Sequence, residues 1–332
     1  MMVVLCNPLH HLPHKSNTIL STKFSTTLIP KTSIRLNRKD STFMILDAPK
    51  FTNRLISSMK SEKKVSEPSD SFKLTYLEVN TWLWEVAGVT ILVDPVLVGN
   101  LDFGVPFLFK AAKKYLKNFK LSDLPEVECL LITQSFDDHC HLNTLIPLSQ
   151  MFPNLQVIAN PNAKTLLDPL FNNVTYLHSS KHSEIQTSNG NRVKIQAIDG
   201  PRRVGPPWQS HINGCIVTSP KGHLSLYYEP HCVYDEDIIR TKNADIIITP
   251  VIKQLVQNLT VVSGQEDAVQ LAKWLNSKYF VPMNNGDLDS RGPLTSLIKS
   301  VGTIESFKEL LSRELPGVKT IEPIPGVPFD IV

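Results

Sequence analysis

Several absences narrow the reading of this 332-residue chain before any motif is weighed. No C-x-x-C pair occurs, and the five cysteines (Cys6, Cys129, Cys140, Cys215 and Cys232) are scattered and odd in number. A domain of this size does not depend on a disulfide framework, so they read as free thiols of a reducing compartment. No apolar run reaches the roughly 18 residues that span a bilayer. There is no internal repeat. The formal net charge is only +3, which leaves no basic footprint for nucleic acid. Acids are missing altogether from the first 39 residues, where Lys15, Lys23, Lys31, Arg35, Arg38 and Lys39 all lie. Without those six cations the remainder holds 28 Lys and Arg against 31 acids, so the body of the chain is slightly acidic.

What is present divides the chain into three parts. Residues 1–45 are rich in Ser, Thr and Lys and lack a continuous apolar stretch, the composition of an organelle transit peptide. The run Ser21-Thr22-Lys23-Phe24-Ser25-Thr26-Thr27, with few arginines nearby, favours a plastid, so the expected location is the chloroplast stroma. An ordinary disordered tail shares much of that composition. Residues 46–71 are polar and Pro-containing and read as a linker. Residues 72–332 carry the signals of a folded domain with an ordinary hydrophobic share of 42% for the chain.

Within that domain, Leu74 to Val79 alternates as a strand, and Trp82–Val86 and Thr90–Val93 flank Ala87-Gly88 as a hairpin. Asp94-Pro95 stops the second run. Phe107 to Phe119 is expected to be a basic amphipathic helix. Val127 to Thr133 reads as a short buried strand, and helices are expected near Leu142–Met151, Ala163–Leu170, Gly264–Asn276 and Ile304–Leu315. Strands come first and then alternate with helices. Two mixed sheets with helices outside would satisfy that order.

The segment richest in chemistry is Gln134-Ser135-Phe136-Asp137-Asp138-His139-Cys140-His141, directly after the buried strand. Carboxylate, imidazole and thiolate are the ligands that Zn and related metals accept, and loops at strand ends are where rigid scaffolds hold them. Cys140 and Cys232 each neighbour a candidate histidine, and a Cys–His pair is also a nucleophile pattern.

The chain resembles the metallo-β-lactamase-fold hydrolases. They carry Thr-His-x-His-x-Asp-His after such a strand, and Thr133-Gln134-Ser135-Phe136-Asp137-Asp138-His139 stands in that frame. Gln134 and Phe136 replace two of the histidines. Leu226 to His231 is similar to the family's apolar strand ending in Gly-Asp, with His231 on the bridging aspartate. Asn284 takes the place of the last histidine, and Asp199-Gly200-Pro201 stands where the third is expected. The branch it looks closest to is a divergent cyanobacterial and plant one.

The resemblance implies an α/β (α+β) fold, a four-layer αββα sandwich. It implies one divalent metal, Zn or alternatively Mn or Fe, held by Asp138, His139 and His231 with Asp199 or His141 completing the set. Asp138, Asp137 or Asp199 would move protons. Arg202 and Arg203 would bind an anionic group, with Gln134 and Asn284 also lining the substrate site. The expected partner is a small-molecule substrate, a small ester, lactone or phosphoester, with no nucleic acid; the oligomeric state is left open. The other reading is a descendant that has lost its metal site and binds a metabolite or a protein.

Overall fold

The computed structural model describes residues 71–186, 192–201 and 211–332. The expected transit peptide, nearly all of the linker, and Arg202 and Arg203 fall outside the described residues.

Two seven-stranded mixed sheets form the body. Across the first, the order is Phe329–Ile331, Phe72–Tyr76, Trp82–Val86, Val89–Val93, Cys129–Ile132, Gln156–Ala159 and Val174–Tyr176. Its first four strands are antiparallel and the remainder parallel. The second runs Lys319–Thr320, Tyr279–Met283, Ile246–Pro250, Ser225–Tyr228, Ile212–Thr218, Arg192–Asp199 and His182–Gln186. It is parallel up to Ser225–Tyr228 and antiparallel beyond.

Local sequence explains these halves. Ala87 and Gly88 both take positive φ, +50° and +83°, the pair of left-handed residues a two-residue hairpin needs. Cys129–Ile132 and Ile246–Pro250 are buried along their whole length, as parallel strands covered on both faces must be.

The inner core lies between the sheets. Trp82, Trp84 and Ile91 of the first sheet meet Val217, Leu226, Tyr228 and Ile248 of the second. The Trp84 ring stands edge-on to Tyr228 at 5.3 Å, joining the sheets. Outside the first sheet, Leu130, Ile132 and Val157 pack on Leu145 and Leu148 of the helix Leu142–Met151. Outside the second, Tyr227, Ile247 and Phe280 pack on Ala268, Leu271 and Ala272 of the helix Gln265–Trp274 and on Phe307 and Leu311 of the helix Ile304–Glu314. The result is the expected αββα layering.

The expected helix over Phe107–Phe119 is not formed. Lys110–Ala112 is instead a short strand paired with Asp289–Arg291. The amides of Lys114, Tyr115 and Leu116 donate to the buried carboxylate of Glu78, so they are withdrawn from any helical ladder. Lys114 and Lys117 pair with Asp287 and Asp289. The hairpin Lys253–Val256 with Leu259–Val262, joined by Ile298–Val301, was also not foreseen.

Gly214 shows how tightly the second sheet closes on the loop that follows Tyr228. A Cβ there would meet the Tyr228 carbonyl oxygen at 2.7 Å and the Glu229 side chain at 3.2 Å. Gly214→Ala is therefore expected to lower stability by about 1–3 kcal/mol in urea denaturation, through forced backbone movement. An unchanged midpoint would show that the strand yields without cost.

Candidate metal centre

The site forms where the buried strands of both sheets end. Cys129–Ile132 delivers Thr133 and the loop to His141, and Ser225–Tyr228 delivers Glu229 and His231. Asp138, His139 and His231 each offer one donor atom within 4.8 Å of the others, the only such group of three among the described residues.

His139 is fully buried and lies between two carboxylates. Its Nδ1 is 2.8 Å from Asp94 Oδ2, and its Nε2 is 3.4 Å from Asp138 Oδ2. Burial pulls the imidazole pKa down, but Asp138 and Asp94 more than offset it and hold it at about 10. Burial raises the Asp138 carboxyl, whereas His139 and His231 lower it further, to about 2. Asp138 is thus ionised at any physiological pH.

Asp94 organises this cluster. Its Oδ1 accepts from the Thr133 amide at 2.8 Å, and its Oδ2 accepts from the Thr133 hydroxyl at 2.5 Å besides His139. The Tyr228 hydroxyl of the second sheet stands 3.4 Å away. On the other side, Glu229 accepts the amides of His231 at 3.2 Å and Val233 at 2.5 Å, shaping the turn that presents His231. Cys232 in that turn has φ +53°.

The donor set fits one cation. One carboxylate and two imidazoles suit Zn, and a ligand–ligand edge of about 3.4 Å is what two arms of about 2.1 Å make at a tetrahedral angle. Asp94 on His139 Nδ1 is the carboxylate that stands behind a ligating histidine and holds its ring, and a cation would displace the proton that Asp138 keeps on Nε2. A second cation finds no comparable set among the described residues. Gln134 is buried with its Nε2 3.1 Å from His231 Nδ1, and Phe136 contributes only its carbonyl, which accepts the His139 and Cys140 amides.

The other expected residues are placed elsewhere. The buried His141 turns its Nδ1 to the Thr144 hydroxyl at 2.9 Å, apart from the group of three. Asp137 accepts the Phe103 amide at 3.0 Å, and burial raises its carboxyl while His141 lowers it. Asp199 pairs with the Ser179 hydroxyl at the end of its strand. Asn284 lines a hollow of about 430 Å³ with Tyr76, Glu78, Tyr115 and Asp287, which none of the three donors lines. The next residue, Asn285, reaches the site instead, through Asn80. Cys140 and Cys232 are buried, and burial pushes the Cys140 thiol to about 12 and the Cys232 thiol up as well, so neither is a thiolate nucleophile.

A model of the beta-lactamase superfamily domain matches residues 73–284, and the chain belongs to that superfamily. No curated protein sequence matches. A metallo hydrolase from Ignicoccus hospitalis is similar with a TM-score of 0.51 at 15% identity, over 79% of this chain and 99% of that one. An isothiocyanate hydrolase from Delia radicum gut bacteria gives 0.52 at 18%, over 77% and 98%. CmlA, a diiron beta-hydroxylase from Streptomyces venezuelae, gives 0.55 at 16%, over 79% of this chain and 54% of that one. At such identities the likeness speaks for the fold.

Asp94→Asn tests the organising role. It turns an amide NH₂ toward at least one of the donors Thr133 N–H, Thr133 O–H and His139 Nδ1–H. Stability should fall by about 3–5 kcal/mol in urea denaturation, the usual cost of breaking a buried charged pair. A loss below about 1 kcal/mol would assign the cluster a minor structural weight.

Proposed function

We propose that the protein is a metal-assisted hydrolase of a small ester, lactone or phosphoester, using one divalent cation, Zn or alternatively Mn or Fe, in the chloroplast stroma. The observation that carries this reading is the convergence of Asp138, His139 and His231 from strand ends of both sheets. The acid-free basic leader supports the stromal location.

When bound, a divalent cation supplies Lewis acidity: it polarises a carbonyl or phosphoryl oxygen and acidifies water. Three protein donors leave the open position that catalytic sites keep. The residues supply the rest. Asp94 holds the His139 ring so that Nε2 faces the group. Gln134 holds the His231 ring in place, its Nε2 3.1 Å from Nδ1. Asp138, ionised and partly exposed, offers Oδ2 to the cation and, with its pKa at about 2, is too weak a base to take up a proton near neutral pH. Of the acids expected to move protons, it alone stands in the group, since Asp137 and Asp199 are engaged by Phe103 and Ser179. An anionic group on the substrate would be held by Arg202 or Arg203.

Gln134 and Phe136 in the place of metal-binding histidines favour a second reading, a non-catalytic descendant that binds a metabolite or a protein partner. Metal content separates the two. The full-length protein, exposed to Zn, Mn or Fe and desalted, should retain about one equivalent per chain by elemental analysis. The triple variant Asp138→Ala, His139→Ala, His231→Ala should retain none. No metal in either, with both folded, would overturn the hydrolase reading.

A further inference from the structure

Asn80 has no role in the reading so far. It sits in the turn between Phe72–Tyr76 and Trp82–Val86 and is 1% exposed. Its Nδ2 lies 3.1 Å from the Asp138 carbonyl oxygen, 3.1 Å from Asp138 Oδ2 and 3.1 Å from His139 Nε2. One amide nitrogen therefore faces two of the three candidate donor groups.

Its orientation is set from behind. Asn285 Nδ2 donates to Asn80 Oδ1 at 2.9 Å and to the Pro230 carbonyl at 3.0 Å. The Pro230 carbonyl can only accept, so Asn285 must turn its NH₂ this way. Asn80 must then give its oxygen to Asn285 and its NH₂ to the site. The backbone cannot swing aside easily either. Glu78 and Val79 both hold positive φ, +66° and +55°, and the Asn80 carbonyl accepts from the Tyr228 hydroxyl at 3.0 Å.

We propose that Asn80 is a built-in competitor for the metal: its NH₂, locked by Asn285, occupies the lone pair of Asp138 Oδ2 and stands against His139 Nε2, the two donor atoms a cation needs. This rests on the reading of Asp138, His139 and His231 as a metal site. A metal entering must displace the hydrogen bond to Asp138 Oδ2 and meets a positive amide edge 3.1 Å from His139 Nε2. The Asn80–Asn285 pair thereby sets the affinity of the site.

Removing the amide should tighten binding, and reversing it should do the same by another route. In Asn285→Asp the new carboxylate can only accept, so Asn80 turns its NH₂ backward and presents its oxygen, a metal ligand, to the site. The test uses the full-length chain stripped with a chelator and titrated with Zn²⁺ or Mn²⁺ against a competing chromophoric chelator. Near-ultraviolet circular dichroism checks folding of each variant. Asn80→Ala and Asn285→Asp should each bind about 10-fold more tightly than the parent, the scale of one competing hydrogen bond removed, and Asp138→Ala should abolish the gain. Binding by the variants where the parent has none also supports the proposal. Equal or weaker binding by the variants, with parent binding lost in Asp138→Ala, overturns the proposal and leaves the metal site standing. No binding in any protein overturns both.

Discussion

The centre of the molecule depends on a carboxylate that water does not reach. Asp94 closes the strand Val89–Val93 at φ +42° and is fully buried. Burying a charge costs several kcal/mol unless donors surround it. Thr133 and His139 supply those donors from the loop after the neighbouring parallel strand. Thr81 adds a bridge, since its hydroxyl donates to the Asp94 carbonyl and accepts the Val96 amide. The Asp138-His139 corner is therefore a consequence of satisfying Asp94.

The second sheet repeats the arrangement with a different acid. Glu229 is equally buried, and its carboxylate gathers the amides of His231 and Val233. Its carbonyl accepts from the Thr249 hydroxyl of the adjacent parallel strand. Gly214 lets the neighbouring strand approach without a side chain in the way. Each sheet thus ends in one buried acid that bends the following loop, and the two bends face one another, with the His139 and His231 rings 5.2 Å apart.

The layering was legible because it is local. Apolar runs, the Ala87-Gly88 turn and the helix Gln265–Trp274 each follow from residues a few positions apart. Asp138, His139 and His231 were legible through residue type and place after buried strands. Long-range polar contacts were not. The helix expected over Phe107–Phe119 fails because Glu78, 36 to 38 positions away from the amides it collects, takes them. Asn80 and Asn285 give no sign in sequence that they meet across 205 positions. The family frame put Asn284 at the last histidine, whereas the strand Tyr279–Met283 brings the next residue, Asn285, to the site.

The retained residues do not all speak equally for a metal. Asp94 and His139 stabilise the fold together, so they would persist whether or not a cation binds, as would Glu229 beneath its loop. Asp138 and His231 differ. Asp138 keeps a fifth of its side chain exposed and is held ionised, with ring and amide neighbours as its side-chain partners among the described residues. His231 is similarly open and leans on Gln134. Neither closes a strand or fills a core layer. A partly exposed carboxylate and imidazole, beside a buried imidazole held in place by Asp94, suit ligand binding better than they suit packing.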